Sequence, residues 1–348
     1  MVQTVFSCYT FLMRSRDTYT FTIVPWKFLF LLAIPFMAYR LGAWMGVSRS
    51  TFYIFATNFL SVFIEAAPFL LIGTIVSGLM EVFVKPEWLT RLIPRNRLAA
   101  SIVGAFMGFL FPVCECGVVP VVRQLLRKGV PLSVGITFLL AAPVMNPVVL
   151  ASTYMAFGFG PVLIGRFIIS AFVAIIVGLL LSRQERAQRV PFSAKPTIQM
   201  PQGNRKAQPA SLSARLHKAL CHAGDEFFEM GFYLIIGSLI ASVLQTGIPS
   251  GFFFTLAQGT VISVLIMQLL AFILSICSTV DAFVALAYAG TFTTGSILAF
   301  LTFGPMVDIK STLMFSTIFS RKKVIALILL PLIFTMVTGI LVNILGIS

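Results

Sequence analysis

Long apolar stretches separated by short polar ones run through most of this chain. Unbroken apolar segments cover 53–84, 98–112, 132–157, 161–182, 228–246, 256–276, 294–318 and 324–346. About 20 apolar residues are enough to cross a bilayer, so runs of this length predict membrane-spanning helices. A further apolar segment over 28–48 predicts one more, with Arg40 reaching for the interface. Two shorter pieces, 118–128 and 278–290, follow cysteine-containing breaks. Strands of a β-barrel would alternate over about ten residues, and that alternation is absent. The pattern predicts an all-α polytopic membrane protein with about seven to nine transmembrane segments.

The one long polar stretch is 183–222. It holds four prolines and eight basic residues against one acidic residue. It reads as a flexible linker that ends in an amphipathic helix from about 212. The linker divides the chain into an N-terminal tail with an extra helix (1–52), a first repeat (53–182), the linker itself, and a second repeat (223–348).

The halves resemble each other. Glu65-Ala-Ala-Pro-Phe-Leu-Leu-Ile-Gly-Thr74 aligns without gaps on Glu229-Met-Gly-Phe-Tyr-Leu-Ile-Ile-Gly-Ser238. Pro143-Val-Met-Asn146 falls opposite Pro305-Met-Val-Asp308, and Cys114 and Cys116 fall near the register of Cys277. The same order in both halves points to an internal repeat. Basic residues mark the cytoplasmic side. Loop 85–97 has four of them, the linker has eight, and 321–323 is Arg-Lys-Lys. Placing all three inside forces 98–128 to enter and leave on the cytoplasmic face, and 256–290 on the outer face. Segment 98–112 gives roughly 22 Å of helix at about 1.5 Å per residue, short of the roughly 30 Å a crossing needs. The expected architecture is therefore two inverted repeats with discontinuous, re-entrant helices. The N-terminus and the linker are expected in the cytoplasm of a multi-pass protein of the cell inner (plasma) membrane.

Composition agrees. The 348 residues are 58% hydrophobic and 10% charged, and mean hydropathy is +1.00. A soluble domain carries about 25% charged residues, so a soluble enzyme, a secreted disulfide scaffold and a disordered chain are all excluded. The net charge of +14 is the positive-inside bias rather than a nucleic-acid footprint, since no basic stripe with interleaved aromatics lies on a soluble domain. Five cysteines, an odd number, give no disulfide framework. No G-x-x-x-x-G-K-[ST] run is present, so the chain offers no nucleotide site. No cofactor and no resident metal are expected, and the chain is not expected to be an enzyme.

The sharpest chemistry is Phe111-Pro-Val-Cys-Glu-Cys-Gly117. Pro112 interrupts a helix, and Gly117 permits unusual backbone. Cys114 and Cys116 can converge on one soft species, which thiolates favour over Mg²⁺ or Ca²⁺. Glu115 between them is a carboxylate at membrane depth, costly enough to suggest a role. Cys277-Ser-Thr-Val-Asp281 is the counterpart, with Asp281 one helical turn from Cys277. Asn146 sits between Pro143 and Pro147, where freed carbonyls can line a path. Asp308 and Lys310 form a candidate ion-coupling pair. Glu65 and Glu229 stand at equivalent positions near helix starts, with Arg166 as a counter-ion for one of them. The histidines His217 and His222 have the wrong spacing for a helical ligand pair.

These motifs together resemble the predicted permeases of the YraQ type, a family that includes the organoarsenical efflux permease ArsP. The resemblance covers most of 53–346 and rests on five pieces. They are the Glu65-Ala-Ala-Pro-Phe-Leu-Leu-Ile-Gly helix, Pro112-Val-Cys-Glu-Cys-Gly117, the segment ending at Pro147, Cys277-Ser-Thr-Val-Asp281 and Gly304-Pro-Met-Val-Asp308. It implies a multi-spanning permease whose characterised relatives export trivalent arsenicals through cysteine ligands. Carried over by motif, those ligands are Cys114 and Cys116, with Cys277 as a third.

The expectation is a secondary, ion-gradient-driven efflux permease for a small thiophilic solute. Cys114, Cys116, Cys277 and Asn146 would bind it, and Glu115, Asp281, Asp308 and Lys310 are the coupling candidates. Two rivals stand beside it: a channel or facilitator for small solutes, and a thiol-disulfide relay through Cys114 and Cys116. The partners open to the chain are the bilayer, a second copy of itself, or a soluble redox or metal-binding helper.

Overall fold

The computed structural model describes residues 49–86, 93–94, 96–111, 113–187, 212–247 and 259–346. The expected first span at 28–48, Cys8, Pro112 and most of the linker lie outside the described residues. Every regular element among the described residues is helical. The first half contains α1 (Arg49–Phe83), α2 (Arg97–Leu110), α3 (Glu115–Arg127), α4 (Leu132–Met145), α5 (Pro147–Phe157) and α6 (Pro161–Ala187). The second contains α7 (Leu212–Gly247), α8 (Thr260–Leu274), α9 (Asp281–Tyr288), α10 (Thr294–Met306), α11 (Ile309–Phe315) and α12 (Arg321–Ile344).

The order of lengths repeats: one long helix, two short ones, two half-helices in line, one long helix. Six stretches are long and apolar enough to cross a membrane, among them Leu132–Phe157 and Thr294–Phe315, which pair the half-helices. Three fall in each half. An odd number of crossings leaves the second copy upside down relative to the first, which is the inverted-repeat architecture. The short helices α2 and α8, with 14 and 15 residues, reach only about 21–23 Å at about 1.5 Å per residue. The second hairpin is thus built like the first, on a leading helix too short to cross by itself.

Local chemistry explains the breaks. Pro143 and Pro305 lack the N–H that would bond the carbonyl four residues back, so α4 and α10 loosen near their ends. Three residues on, Asn146 and Asp308 take over as N-caps. Asn146 Oδ1 accepts from the Val149 N–H at 2.9 Å, and Asp308 Oδ1 accepts from Ser311 N–H at 2.6 Å. The two repeats use the same device at the same place.

The long helices α1 and α7 pack along one another. Glycine sets how closely the half-helices approach them. A Cβ at Gly73 on α1 would collide with the Gly117 backbone of α3. A Cβ at Gly237, the aligned position on α7, would meet Lys310 Cα of α11 at 2.8 Å. Glu65 and Glu229 lie in the middle of α1 and α7 rather than at their starts. Both helices continue about 16 residues back from these acids, α1 through the apolar segment that begins at 53 and α7 through the polar stretch from 212.

Candidate functional site

The tips of α3 and α11 meet deep in the bundle, one from each repeat. Helix α3 starts at Glu115, earlier than the apolar pattern indicated, so Glu115 and Cys116 occupy its first turn and Cys114 is the N-cap. Cys114 has extended backbone and makes no side-chain cap hydrogen bond to the helix. A helix N-terminus favours the thiolate form of such a cysteine. Pro120 has no N–H for the carbonyl of Cys116, one turn back.

Cys277 lies in the unwound stretch between α8 and α9, with its sulfur 3.4 Å from Thr279 Oγ1. The turn is held by Ser275, which ends α8 in left-handed backbone (φ 48°). Ser275 Oγ accepts from the N–H of Ile309 at 3.2 Å, the first residue of α11. This stitches the two breaks of the second repeat together. Cys114, Cys116 and Cys277 are free and buried. Cys221 on α7 is disulfide-bonded, a departure from the expectation of unpaired thiols.

Lys310 holds the centre. It is 1% exposed, and its Nζ lies 3.5 Å from Asp308 Oδ2 and 3.7 Å from Glu115 Oε1. These are ion-pair distances, too long for hydrogen bonds. Glu115 Oε2 and Asp308 Oδ2 have no hydrogen-bond partner. Two carboxyls thus share one ammonium, with acceptor capacity left over.

Asn146 and Asp281 are otherwise engaged. Asn146 caps α5 and also donates from Nδ2 to Ala142 O at 3.2 Å, so its amide is spent on the break. Asp281 is clamped by Arg166 of α6 through two bonds of 3.0 and 2.6 Å. Arg166 also donates to Thr153 Oγ1 at 2.8 Å. Arg166 is therefore the counter-ion of Asp281 and not of Glu65 or Glu229. Glu229 belongs to Arg123, at 2.8 and 3.1 Å. Sequence reasoning passed over Arg123 and its neighbour Glu226. The available signal was Arg123, five residues into 118–128, the first charge after an apolar Val-Val-Pro-Val-Val run. Among the described residues no group of three His, Cys, Asp or Glu side chains is placed to hold a metal ion.

Comparison with known proteins gives concordant results. A family model described as a predicted permease, ArsP_1, matches residues 52–344. The chain is 42% identical over 297 residues to UPF0718 protein YcgR of Bacillus subtilis, covering 85% of this chain and 99% of that protein. It is 38% identical over 292 residues to a proposed two-component membrane permease complex subunit of Streptococcus mutans, covering 81% and 94%. It is 24% identical over 115 residues, 33% of each chain, to UPF0718 protein YraQ of Escherichia coli. No solved structure matches.

Proposed function

The chain belongs to the predicted-permease family ArsP_1, and on that premise we propose that it is a secondary efflux permease for a soft, thiol-reactive solute, a trivalent arsenical first among them. The observation that carries this reading is the pair of free buried thiols, Cys114 and Cys116, on either side of Glu115, whose carboxyl reaches Lys310 where α3 and α11 converge. Soft centres prefer thiolate ligands. Binding forms As–S bonds, and each thiol proton leaves with an arsenic hydroxyl as water; the under-coordinated oxygens of Glu115 and Asp308 are placed to pass it across. Release on the far side reverses this, water returning its hydroxyl to arsenic and its proton to sulfur. A further proton taken up there on Glu115 or Asp308 and given up to the cytoplasm couples the cycle to the gradient.

The repeats supply the movement. Helices α3 and α11 are seated on the α1–α7 pair, while their counterparts α9 and α5 pack on each other and have no comparable seat there. Exchanging the two arrangements, so that α5 and α9 take the seat, opens the site to the other side. In this reading the linker and N-terminus face the cytoplasm of the inner membrane and export runs outward. The name of the Streptococcus relative supports a second subunit.

A relay of electrons through Cys114 and Cys116 is less favoured, because Cys116 is 0% exposed and a protein partner must reach a thiol. The test is growth inhibition in a host lacking its own exporters, with methylarsenite, arsenite, antimonite, Cd²⁺ and Cu²⁺ added separately. Resistance to one of them that Cys114→Ser/Cys116→Ser loses at equal abundance supports the reading. No protection against any of them removes soft-solute export.

A further inference from the structure

A second polar cluster lies where α7 passes from its linker-side part into its apolar part, away from the thiols. Glu226 of α7 is 3% exposed, and neither of its carboxyl oxygens has a hydrogen-bond partner. Arg123 of α3 lies beside it. Its Nη1 is 4.0 Å from Glu226 Oε1 and 2.8 Å from Glu229 Oε2. Glu226 and Glu229 are three residues apart and so share one face of α7, but their surroundings differ. The Glu229 side chain is 39% exposed and that of Glu226 is 2% exposed. The wetter acid holds the arginine through two hydrogen bonds, and the dry one reaches it only at the limit of ion-pair distance.

The other groups facing Glu226 are Ser77 from α1 and Arg127 from α3. Ser77 already donates to Pro120 O at 3.3 Å. Glu81 of α1 and His222 of α7 lie further along, near Arg127. A buried carboxyl without donors is held more cheaply with a proton than as an anion. An ionised Glu226 has one remedy close by: Arg123 Nη1 need move only about 1 Å to come within hydrogen-bond distance.

We propose that Glu226 is a proton-binding site, and that its protonation state decides whether Arg123 is held by Glu229 or by Glu226. The proton comes from water on the linker side. With Glu226 protonated, Arg123 stays on Glu229, as observed. With the proton gone, the guanidinium turns to Glu226. Arg123 lies seven residues, about 10 Å, along α3 from Cys116, so the exchange pulls on the helix that carries the thiols at its other end. That coupling role rests on the permease reading, whereas the proton site itself does not.

The test is carboxyl infrared spectroscopy of the full chain in lipid nanodiscs, titrated with pH and with no solute added. A protonated-carboxyl band should be present in wild type, vanish on raising the pH, and be missing from Glu226→Gln. In Glu229→Gln, Arg123 is free for Glu226, so the band should disappear about one to three pH units lower. In Arg123→Gln it should persist to higher pH. A wild-type spectrum that Glu226→Gln leaves unchanged overturns the proposal. If that variant does not accumulate, a band that fails to move in both Glu229→Gln and Arg123→Gln overturns it equally. Failure to transport any solute with these shifts intact would count against the permease reading and leave the proton site standing.

Discussion

Lys310 is a buried cation answered by two acids from different repeats, so the account stands or falls first on single side chains. Lys310→Met leaves Glu115 and Asp308 facing each other without a counter-charge. Removing one partner of a buried ionic group costs about 3–5 kcal/mol, so the variant should unfold at markedly lower temperature or accumulate poorly. Glu115→Gln added to it should recover much of the loss, because it removes the uncompensated charge. Strictly additive losses would show that Glu115 and Lys310 do not interact. The Arg166–Asp281 clamp should behave in the same way. Arg166→Met should cost about 3–5 kcal/mol, and Asp281→Asn in the same chain should return part of it.

The half-helices were largely legible in the sequence, and the Asn146 and Asp308 breaks were visible as paired Pro-x-x-Asn and Pro-x-x-Asp runs. They yield a sharp comparison. Asn146→Ala should cost about 1 kcal/mol for loss of the cap, whereas Asn146→Ser should cost less, since Ser keeps a neutral N-cap acceptor without placing an unpaired carboxylate in the buried break. Equal losses on thermal unfolding would contradict the shared capping role. At the seat, Gly73→Ala pushes a methyl into the α3 backbone and should cost about 1–3 kcal/mol. Gly224→Ala on α7, with nothing within 4 Å, should be harmless. What the sequence concealed is instructive. Arg123 and Glu229 are 106 positions apart, and no periodicity links such a pair. Glu226 gave no signal, because its burial comes from α1 and α3 and not from its own neighbours. The join in α7 was hidden for a related reason: the amphipathic helix from about 212 and the apolar segment from 228 are one continuous helix.

Among the described residues, the molecule is two runs of six helices in the same order of lengths, set in unequal environments. That asymmetry predicts a second arrangement, in which α9 approaches α7 as α3 now approaches α1. Spin labels on noncanonical residues at Phe283 of α9 and Ile240 of α7, both exposed, leave the native thiols intact. Their distance distribution should have two populations whose ratio changes when a transported solute is added. One unmoving population would contradict exchange between the repeats. The central claim is that solute crosses by way of the buried thiols. It is tested most directly by methylarsenite uptake into everted membrane vesicles under an imposed proton gradient, comparing wild type with Cys114→Ser/Cys116→Ser at equal abundance. The account predicts gradient-dependent accumulation by wild type and none above background by the variant. Equal accumulation by both would contradict it.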